Sequence, residues 1–254
     1  MTGIRVTILA NAGSTPRDAG TEMFVRADGF EGTIGGGALE WEALRSARQM
    51  LADGKQRSER QIALGPALGQ CCGGAVTLLF EAASGLSPRE GQALWIWGAG
   101  HVGRALVEVL HPLPDFTITW VDTGPARFPD HIPDGVVQLV AAEPARAMAH
   151  APTDAKHLIL TYSHEIDLAL CHAALLRGFT SCGVIGSGTK WARFKSRLRQ
   201  LGHEDAQISR ICCPIGLPNL GKHPRAIAIG VASRLLSDPM HKNLADTAAR
   251  EGLA

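Results

Sequence analysis

A glycine-rich turn between an apolar run and a helical pattern is the feature that most constrains how this chain folds. Residues 94–103 read LWIWGAGHVG, and the helical pattern Val102–Leu110 overlaps their end. In such a G-x-G-x-x-G turn, Gly98 permits a tight bend, Gly100 lets the backbone approach a phosphate, and Gly103 lets the helix pack on the strand. The free N–H groups at the helix start carry a partial positive charge that attracts anions. The pattern therefore predicts a strand, a phosphate-binding turn and a helix.

An acidic residue, Asp122, follows the next apolar run, Thr117–Val121. In dinucleotide-binding units an acid at this place accepts hydrogen bonds from a ribose diol and repels a 2′-phosphate. The alternative is that Asp122 caps a turn in a domain kept for its shape. Both interpretations stay open from the sequence.

Further polar residues follow other predicted strands. His101 lies in the glycine turn that follows the predicted strand Leu94–Trp97, and His164 follows the run His157–Thr161. Because the carboxyl ends of parallel strands meet at one edge, both histidines are expected on the same rim. A histidine there binds a ligand, transfers a proton or belongs to the loop. Asp167 lies one turn after His164, so a helix cap is an equal alternative.

A second glycine turn, Gly186–Lys190, also precedes a helical pattern and offers another place for an anion. Lys190, Arg193 and Arg197 fall on one face of that helix. Such a charge stripe is typical of a solvated face, opposite the apolar stripe of Trp191, Phe194 and Leu198.

The second half of the chain alternates apolar strand patterns with helical patterns, which is typical of a parallel sheet covered by helices on both faces. The predicted strands are Leu94–Trp97, Thr117–Val121, Val136–Val140, His157–Thr161 and Cys182–Ile185. We therefore predict an α/β fold with a Rossmann-like parallel-sheet domain over residues 93–254. Residues 239–254 are expected to form a loosely attached tail or helix.

The first half has a different, glycine-rich character and is predicted to be a small α+β N-terminal domain over residues 1–85. One helical stretch, Ala38–Leu51, lies among short strand patterns at Arg5–Ala10, Glu22–Arg26, Arg60–Leu64 and Ala75–Phe80. The segment Glu81–Gln92 is small and polar, contains Gly and Pro, and is the predicted linker.

Composition excludes several classes of function. A formal net charge of +1 gives no electrostatic case for nucleic acid or an anionic membrane as a partner. No run of eighteen apolar residues and no secretory signal pattern is present, so no membrane association is expected. Six cysteines without such a signal are best interpreted as cytoplasmic thiols.

Two motifs of the first half place glycines where an anion could be held. Gly13–Arg17 (GSTPR) forms a polar turn with a guanidinium available for an anion. Gly35, Gly36 and Gly37 lead into the predicted helix and offer backbone N–H groups to a negative ligand. The alternative is a tight strand-to-helix turn that needs glycine for its conformation.

A cysteine doublet, Cys71 and Cys72, lies in the Gly/Pro-containing loop Leu64–Gly74 after Gln70. Two adjacent thiols cannot complete a tetrahedral zinc site and bond to each other only with strain. Thiolates suit soft metals, whereas buried cysteines act as small apolar residues, and both interpretations stay open. Cys212 and Cys213 repeat the doublet, while Cys171 and Cys182 are expected in the core.

Taken in order, these motifs resemble the xanthine dehydrogenase accessory proteins, the XdhC/CoxI family of molybdenum-cofactor chaperones. The resemblance covers nearly the full chain and rests on residues 13–17 (GSTPR), 32–40 (GTIGGGALE), 64–74 (LGPALGQCCGG), 94–103, 162–167 (YSHEID), 183–198 (GVIGSGTKWARFKSRL) and 214–221 (PIGLPNLG).

The resemblance implies a cytoplasmic, dimeric accessory protein without enzymatic turnover. It would bind molybdenum cofactor (molybdopterin), protect it, hold it while a cysteine desulfurase installs the sulfido ligand, and deliver it to the molybdenum subunit of xanthine dehydrogenase for purine catabolism. Cys71 or Cys72 would approach the dithiolene-bound molybdenum. The predicted cofactor-binding residues are Gly35, Gly36, Gly37, Gln70, Cys71, Cys72, Gly98, Gly100, His101, Gly103, Asp122 and His164.

Two other classes of function compete with this interpretation. An NAD-dependent oxidoreductase would use the same glycine turn. Its short-chain type needs Tyr-x-x-x-Lys, whereas the only tyrosine, Tyr162, is followed four residues later by Ile166. A histidine-based version with His164 and Asp167 stays open. An interaction scaffold with an empty nucleotide fold is the third candidate.

Overall fold

A computed structural model describes residues 3–65, 73–87 and 91–237. The chain divides into two compact units, whose described parts are residues 3–87, with the gap at 66–72, and residues 91–237. Each unit has its own hydrophobic core. The α/β fold class, with an antiparallel sheet in the N-terminal part and a Rossmann-like parallel sheet in the second, is confirmed.

The first unit is an antiparallel sheet of five strands in the order β3-β2-β1-β5-β4, with one long helix. Its elements are β1 (Gly3–Ala12), β2 (Glu22–Val25), β3 (Phe30–Gly32), α1 (Gly37–Asp53), β4 (Arg57–Ala63) and β5 (Ala75–Ala83). Helix α1 buries an apolar stripe that includes Leu39, Ala43 and Met50 in the same core as Val6 and Ile8 of β1. Gly54 ends α1 in the left-handed conformation, with φ +67°.

The second unit is a parallel sheet of six strands in the order β11-β10-β9-β6-β7-β8. Its strands are β6 (Gln92–Trp97), β7 (Phe116–Asp122), β8 (Val136–Val140), β9 (Lys156–Ile159), β10 (Ser181–Val184) and β11 (Ile211–Cys212). Its helices are α2 (His101–Leu110), α3 (Pro144–Ala147), α4 (His164–Arg177), α5 (Gly188–Gln200), α6 (Asp205–Ile208) and α7 (Pro224–Leu236).

Alternation along β6 explains why helices cover both faces of this sheet. Trp95 and Trp97 belong to one buried cluster, together with residues of α4 and α5. Leu94 and Ile96 belong to the other, together with residues of α2 and α7. A strand whose residues are apolar on both faces needs a layer on each side.

The strand order creates one position that suits a ligand. The chain runs from β6 outward through β7 to β8, then returns to β9 on the other side of β6 and continues outward. The loops after β6 and β9 therefore diverge at their carboxyl ends and leave a crevice, which is where open α/β sheets bind ligands. We call it the switch crevice.

Two features of the predicted pattern need correction. The short strands Phe30–Gly32 and Ile211–Cys212 were absent from the predicted pattern. Glu81–Gln92 is not a linker throughout, because β5 continues to Ala83 and β6 begins at Gln92. Residues 239–254 lie outside the described residues. No helix in the described ranges is both long and apolar enough to cross a membrane.

Candidate functional site

The glycine turn lies at the switch crevice, and its three glycines serve different steric purposes. A Cβ on Gly103 would lie 2.0 Å from the Gly98 carbonyl oxygen, so this glycine allows α2 to pack on the turn. Gly98 has φ +120°, and a Cβ there would lie 2.5 Å from the Leu160 oxygen. A Cβ on Gly100, in contrast, would meet no atom of the described residues within 4 Å. Gly100 therefore faces open space.

The backbone N–H groups at the start of α2 are not engaged by a capping side chain of the helix itself. Gly100 is the N-cap residue, no side chain among the described residues caps the helix, and its first turn has no acidic residue. The turn itself is anchored from β7, because the Trp120 indole donates to the Gly98 oxygen at 3.0 Å. A rigid turn with an uncapped helix start is suited to a phosphate.

Asp122 is buried and holds the turn in place. Its Oδ2 accepts a hydrogen bond from the Ala99 N–H at 2.6 Å, and its Oδ1 accepts one from the Thr123 N–H at 2.6 Å. Arg127 Nε lies 2.7 Å from the same Oδ1 and forms an ion pair. Through these contacts Asp122 caps the turn, as one of its two interpretations predicts. Its predicted role in binding a ligand stays a prediction.

Arg127 links the loops on both sides of β6. Its guanidinium lies over the ring of Tyr162, 3.9 Å from the centroid, within the range of a cation–π contact. Arg104 of α2 connects the glycine turn to the loop of Arg127. Its side chain donates to the Ala99 carbonyl oxygen at 3.1 Å and to the Arg127 carbonyl oxygen at 2.8 Å. Arg127 is not among the predicted site residues, although an arginine shortly after a strand-ending acid is a signal that the sequence contains.

The two rim histidines are both exposed. His101 is the first residue of α2, and His164 is the first residue of α4. The His164 ring packs edge-on to Phe194, with 6.5 Å between centroids. The helix cap suggested for His164 and Asp167 is instead Ser163, whose side chain accepts from the N–H groups of Glu165 and Ile166.

Asp167 and Lys190 form a buried hydrogen-bonded ion pair at the start of α5. Lys190 Nζ donates to Asp167 Oδ2 at 2.6 Å and to the Ile185 oxygen at 2.8 Å. The Lys190 side chain is only 9% exposed, so the solvated charge stripe predicted for α5 is wrong for this residue. Asp167 Oδ1 accepts from the Thr161 N–H at 3.0 Å, which ties α4 to the loop after β9.

In the first unit, three sequence motifs pack against one another. A Cβ on Gly35 would lie 2.7 Å from Pro16, so the GTIGGG turn contacts the GSTPR turn. A Cβ on Gly74 would lie 2.4 Å from the Ser14 oxygen, which places the end of the Leu64–Gly74 loop beside the same turn. The Leu64 N–H donates to the Gly74 oxygen at 2.7 Å and closes this loop at its base.

The glycine turn before α1 already contains a carboxylate. Glu40 Oε2 accepts hydrogen bonds from the N–H groups of Ile34 and Gly36, each at 3.2 Å, and from Thr33 Oγ1 at 2.5 Å. The Gly36 amide that we predicted to face an anionic ligand is thus occupied by an internal anion. The involvement of Gly35, Gly36 and Gly37 in cofactor binding stays a prediction.

Gln70, Cys71 and Cys72 lie outside the described residues. Cys171 and Cys182 are buried as expected, and burial raises the pKa of both thiols. Cys212 is exposed, whereas Cys213 is partly covered and burial raises its pKa to about 11. Within the part of the chain that the structure describes, no three His, Cys, Asp or Glu side chains form a metal-binding group.

Comparison with known families matches both units. A family model described as the XdhC Rossmann domain matches residues 94–235, which is more than half of the 254 residues. A second model, described as the XdhC and CoxI family, matches residues 2–62.

One curated relative is similar over most of this chain. The Escherichia coli (strain K12) protein described as uncharacterized protein YqeB is 30% identical over 234 residues, an alignment that covers 90% of this chain and 42% of YqeB. The chain thus spans less than half the length of this curated relative.

Solved structures show likeness in fold. A crystal structure of a xanthine dehydrogenase from Bacillus halodurans superposes with a TM-score of 0.71 at 18% identity, covering 95% of each chain. A short-chain dehydrogenase/reductase from Veillonella parvula in complex with NADP is 14% identical over 56% of this chain and 63% of its own, and its TM-score of 0.31 is too low to indicate a shared fold.

Proposed function

Because the chain belongs to the XdhC and CoxI family, we propose that it acts in the maturation of xanthine dehydrogenase as a chaperone of molybdenum cofactor. In this function it binds the cofactor, protects it, holds it during sulfuration by a cysteine desulfurase and delivers it to the molybdenum subunit. It acts as a homodimer and does not turn over a substrate. Family membership supports the role in xanthine dehydrogenase maturation, and the finer steps are part of the proposal.

The observation that carries the proposal is the open glycine turn at the switch crevice. Molybdopterin has a phosphate or nucleotide-phosphate tail, which needs N–H donors, a positive end of a helix and room for the phosphate oxygens. The start of α2 has no capping side chain or acidic residue, and Gly100 faces open space. The residues present therefore fit the phosphate end of the cofactor.

The turn before α1 fits an anion less well. Glu40 occupies the amides of Ile34 and Gly36, and its negative charge repels a second anion nearby. We therefore assign the phosphate to Gly98–Gly103, where the Asp122 carboxylate also occupies one amide, that of Ala99, but its negative charge is paired with the Arg127 guanidinium. The cysteine doublet Cys71 and Cys72 is proposed to contact the molybdenum, since thiolates are soft ligands.

Anaerobic mixing of the protein with molybdenum cofactor, followed by gel filtration, tests the proposal. We expect pterin fluorescence and molybdenum to elute together with the protein. Gly100→Leu should reduce loading because its side chain fills the open space above the turn. Gly29→Leu is the matched control, since a Cβ on Gly29 also meets nothing within 4 Å. A protein peak without pterin and molybdenum would overturn the proposal.

The two cysteine doublets allow a second comparison. Cys71→Ser with Cys72→Ser should impair cofactor loading or its transfer to apo xanthine dehydrogenase, whereas Cys212→Ser with Cys213→Ser should leave both unchanged. Equal loading and transfer by the first pair and the wild type would exclude the metal contact.

The same glycine turn also fits the diphosphate of NAD, which keeps the oxidoreductase as the alternative. Calorimetric titration with NAD distinguishes the two functions, because a dehydrogenase would bind it with a Kd in the micromolar range or below. Binding of NAD at that level, without binding of molybdenum cofactor, would favour the alternative.

A further inference from the structure

Tyr162 is exposed at the switch crevice, with a guanidinium against one face of its ring. The residue is 60% exposed, and the Arg127 guanidinium carbon lies 3.9 Å from the ring centroid. We propose that the uncovered face of Tyr162 is a stacking platform for a flat heteroaromatic ring of the bound ligand. The identification of that ring as a pterin rests on the proposed function.

The position of Tyr162 follows from the sheet order. It lies in the loop after β9, beside the loop of Gly98–Gly103 after β6, and these two loops form the switch crevice. Arg127 comes from the loop after β7, on the far side of β6. The Arg127–Tyr162 contact therefore spans the end of β6, next to the turn that fits a phosphate.

Arg127, which packs against the Tyr162 ring, is itself held by Asp122 and Arg104. Arg127 Nε is paired with the buried Asp122 at 2.7 Å, and the Arg127 carbonyl oxygen accepts from Arg104 at 2.8 Å. A platform fixed before the ligand arrives loses little conformational entropy on binding. Arg127 is thus a positioning residue for the Tyr162 ring.

The chemistry of the platform indicates which part of a ligand it takes. Asp122 is engaged by Ala99, Thr123 and Arg127, so a ribose diol would have to compete with protein donors for this carboxylate. An exposed aromatic face, in contrast, contributes by stacking on another flat ring, which strengthens binding by about five- to 150-fold per ring. Pterins and purines share this chemistry.

Three variants separate the ring from its surroundings. Tyr162→Leu removes the aromatic face, Tyr162→Phe keeps it, and Trp41→Leu removes a 71% exposed ring from the other unit. Each full-length variant is titrated with molybdenum cofactor under anaerobic conditions, with AMP and with inorganic phosphate. Tryptophan fluorescence and circular dichroism confirm folding.

We expect Tyr162→Leu to weaken cofactor binding by about tenfold, whereas Tyr162→Phe and Trp41→Leu stay within about twofold of the wild type. Binding of inorganic phosphate should not change. Unchanged cofactor binding by Tyr162→Leu, or equal losses in the Leu and Phe variants, would overturn the platform while the proposed function stands.

The AMP titration separates failure of the platform from failure of the proposed function. One outcome is that the wild type binds AMP, that Tyr162→Leu weakens this binding about tenfold, and that neither protein binds molybdenum cofactor. The platform is then supported for purines, and the chaperone function is overturned. If the wild type binds neither ring-bearing probe, both proposals are overturned.

Discussion

Lys190 and Asp167 form a buried ion pair that joins two helices at the carboxyl edge of the parallel sheet, with Nζ 2.6 Å from Oδ2. Lys190 lies in the first turn of α5, where the helix dipole disfavours a cation. Asp167 and the Ile185 oxygen compensate for this cost through direct hydrogen bonds. Because Asp167 also accepts from Thr161, the pair holds two loops of the candidate site together.

We expect Lys190→Met to lower the free energy of unfolding by about 3 kcal/mol, because the buried Asp167 carboxylate loses its cation. Arg193→Met, on the exposed part of the same helix, should change it by about 0.5 kcal/mol or less. Urea unfolding followed by tryptophan fluorescence measures both, since Trp95, Trp97 and Trp120 are buried in this unit. Equal urea midpoints for the two variants would contradict the prediction.

His157 makes stability depend on pH. Burial lowers the pKa of His157 from 6.5 to about 4, and its Nδ1 accepts a hydrogen bond from the Trp97 indole at 3.2 Å. Between these two values the unfolded chain binds a proton that the folded protein excludes. The stabilisation is therefore complete above pH 6.5 and is lost as the pH falls toward 4, by up to about 1.4 kcal/mol per pH unit.

The matched variant is His157→Gln, which keeps an acceptor for Trp97 but does not titrate. The urea midpoints of the wild type and of His157→Gln should approach each other as the pH falls from 7 to 4, because the wild type loses more stability than the variant. The difference between the two proteins is the informative quantity, since burial and His172 also lower the pKa of His203. Parallel pH profiles would refute the assignment to His157.

Gly103 and Gly100 should respond differently to the same added methyl group. In Gly103→Ala the Cβ would lie 2.0 Å from the Gly98 oxygen, and we expect a loss of about 2–3 kcal/mol. In Gly100→Ala the Cβ meets no atom within 4 Å, so the loss should be about 1 kcal/mol or less. Thermal unfolding of both variants checks the order, and a Gly100 variant as unstable as the Gly103 variant would contradict it.

Glu40 should protect the amides of the turn before α1. Glu40→Ala removes the acceptor of the Ile34 and Gly36 N–H groups, and we expect faster hydrogen exchange at both and a loss of about 2 kcal/mol. Glu42→Ala, which removes a partner of the exposed Arg45, is the control and should cost about 0.5 kcal/mol or less. The exchange rates are measured by NMR. Equal rates at the Ile34 and Gly36 amides in Glu40→Ala and Glu42→Ala would contradict this role.

The elements of the second unit were largely predictable because their signals are local. Apolar runs of the length of a strand alternate with helical patterns, and each of the five predicted strands exists within a few residues of its expected bounds. The two missed strands, Phe30–Gly32 and Ile211–Cys212, have three and two residues, too few to show a period. The predicted linker failed where strands β5 and β6 extend into it, because sheet pairing there outweighs a polar composition.

The sequence by itself determined the glycine turn, the helix behind it and the parallel direction of the strands, since steric need for glycine and apolar periodicity are properties of neighbouring residues. Only the tertiary structure decided that Asp122 holds Ala99 and Arg127, and that Lys190 is buried against Asp167. These partners are separated by up to 23 residues, and strand order brings them together. A polar side chain in sequence shows what it can bind, whereas packing selects the partner that it does bind.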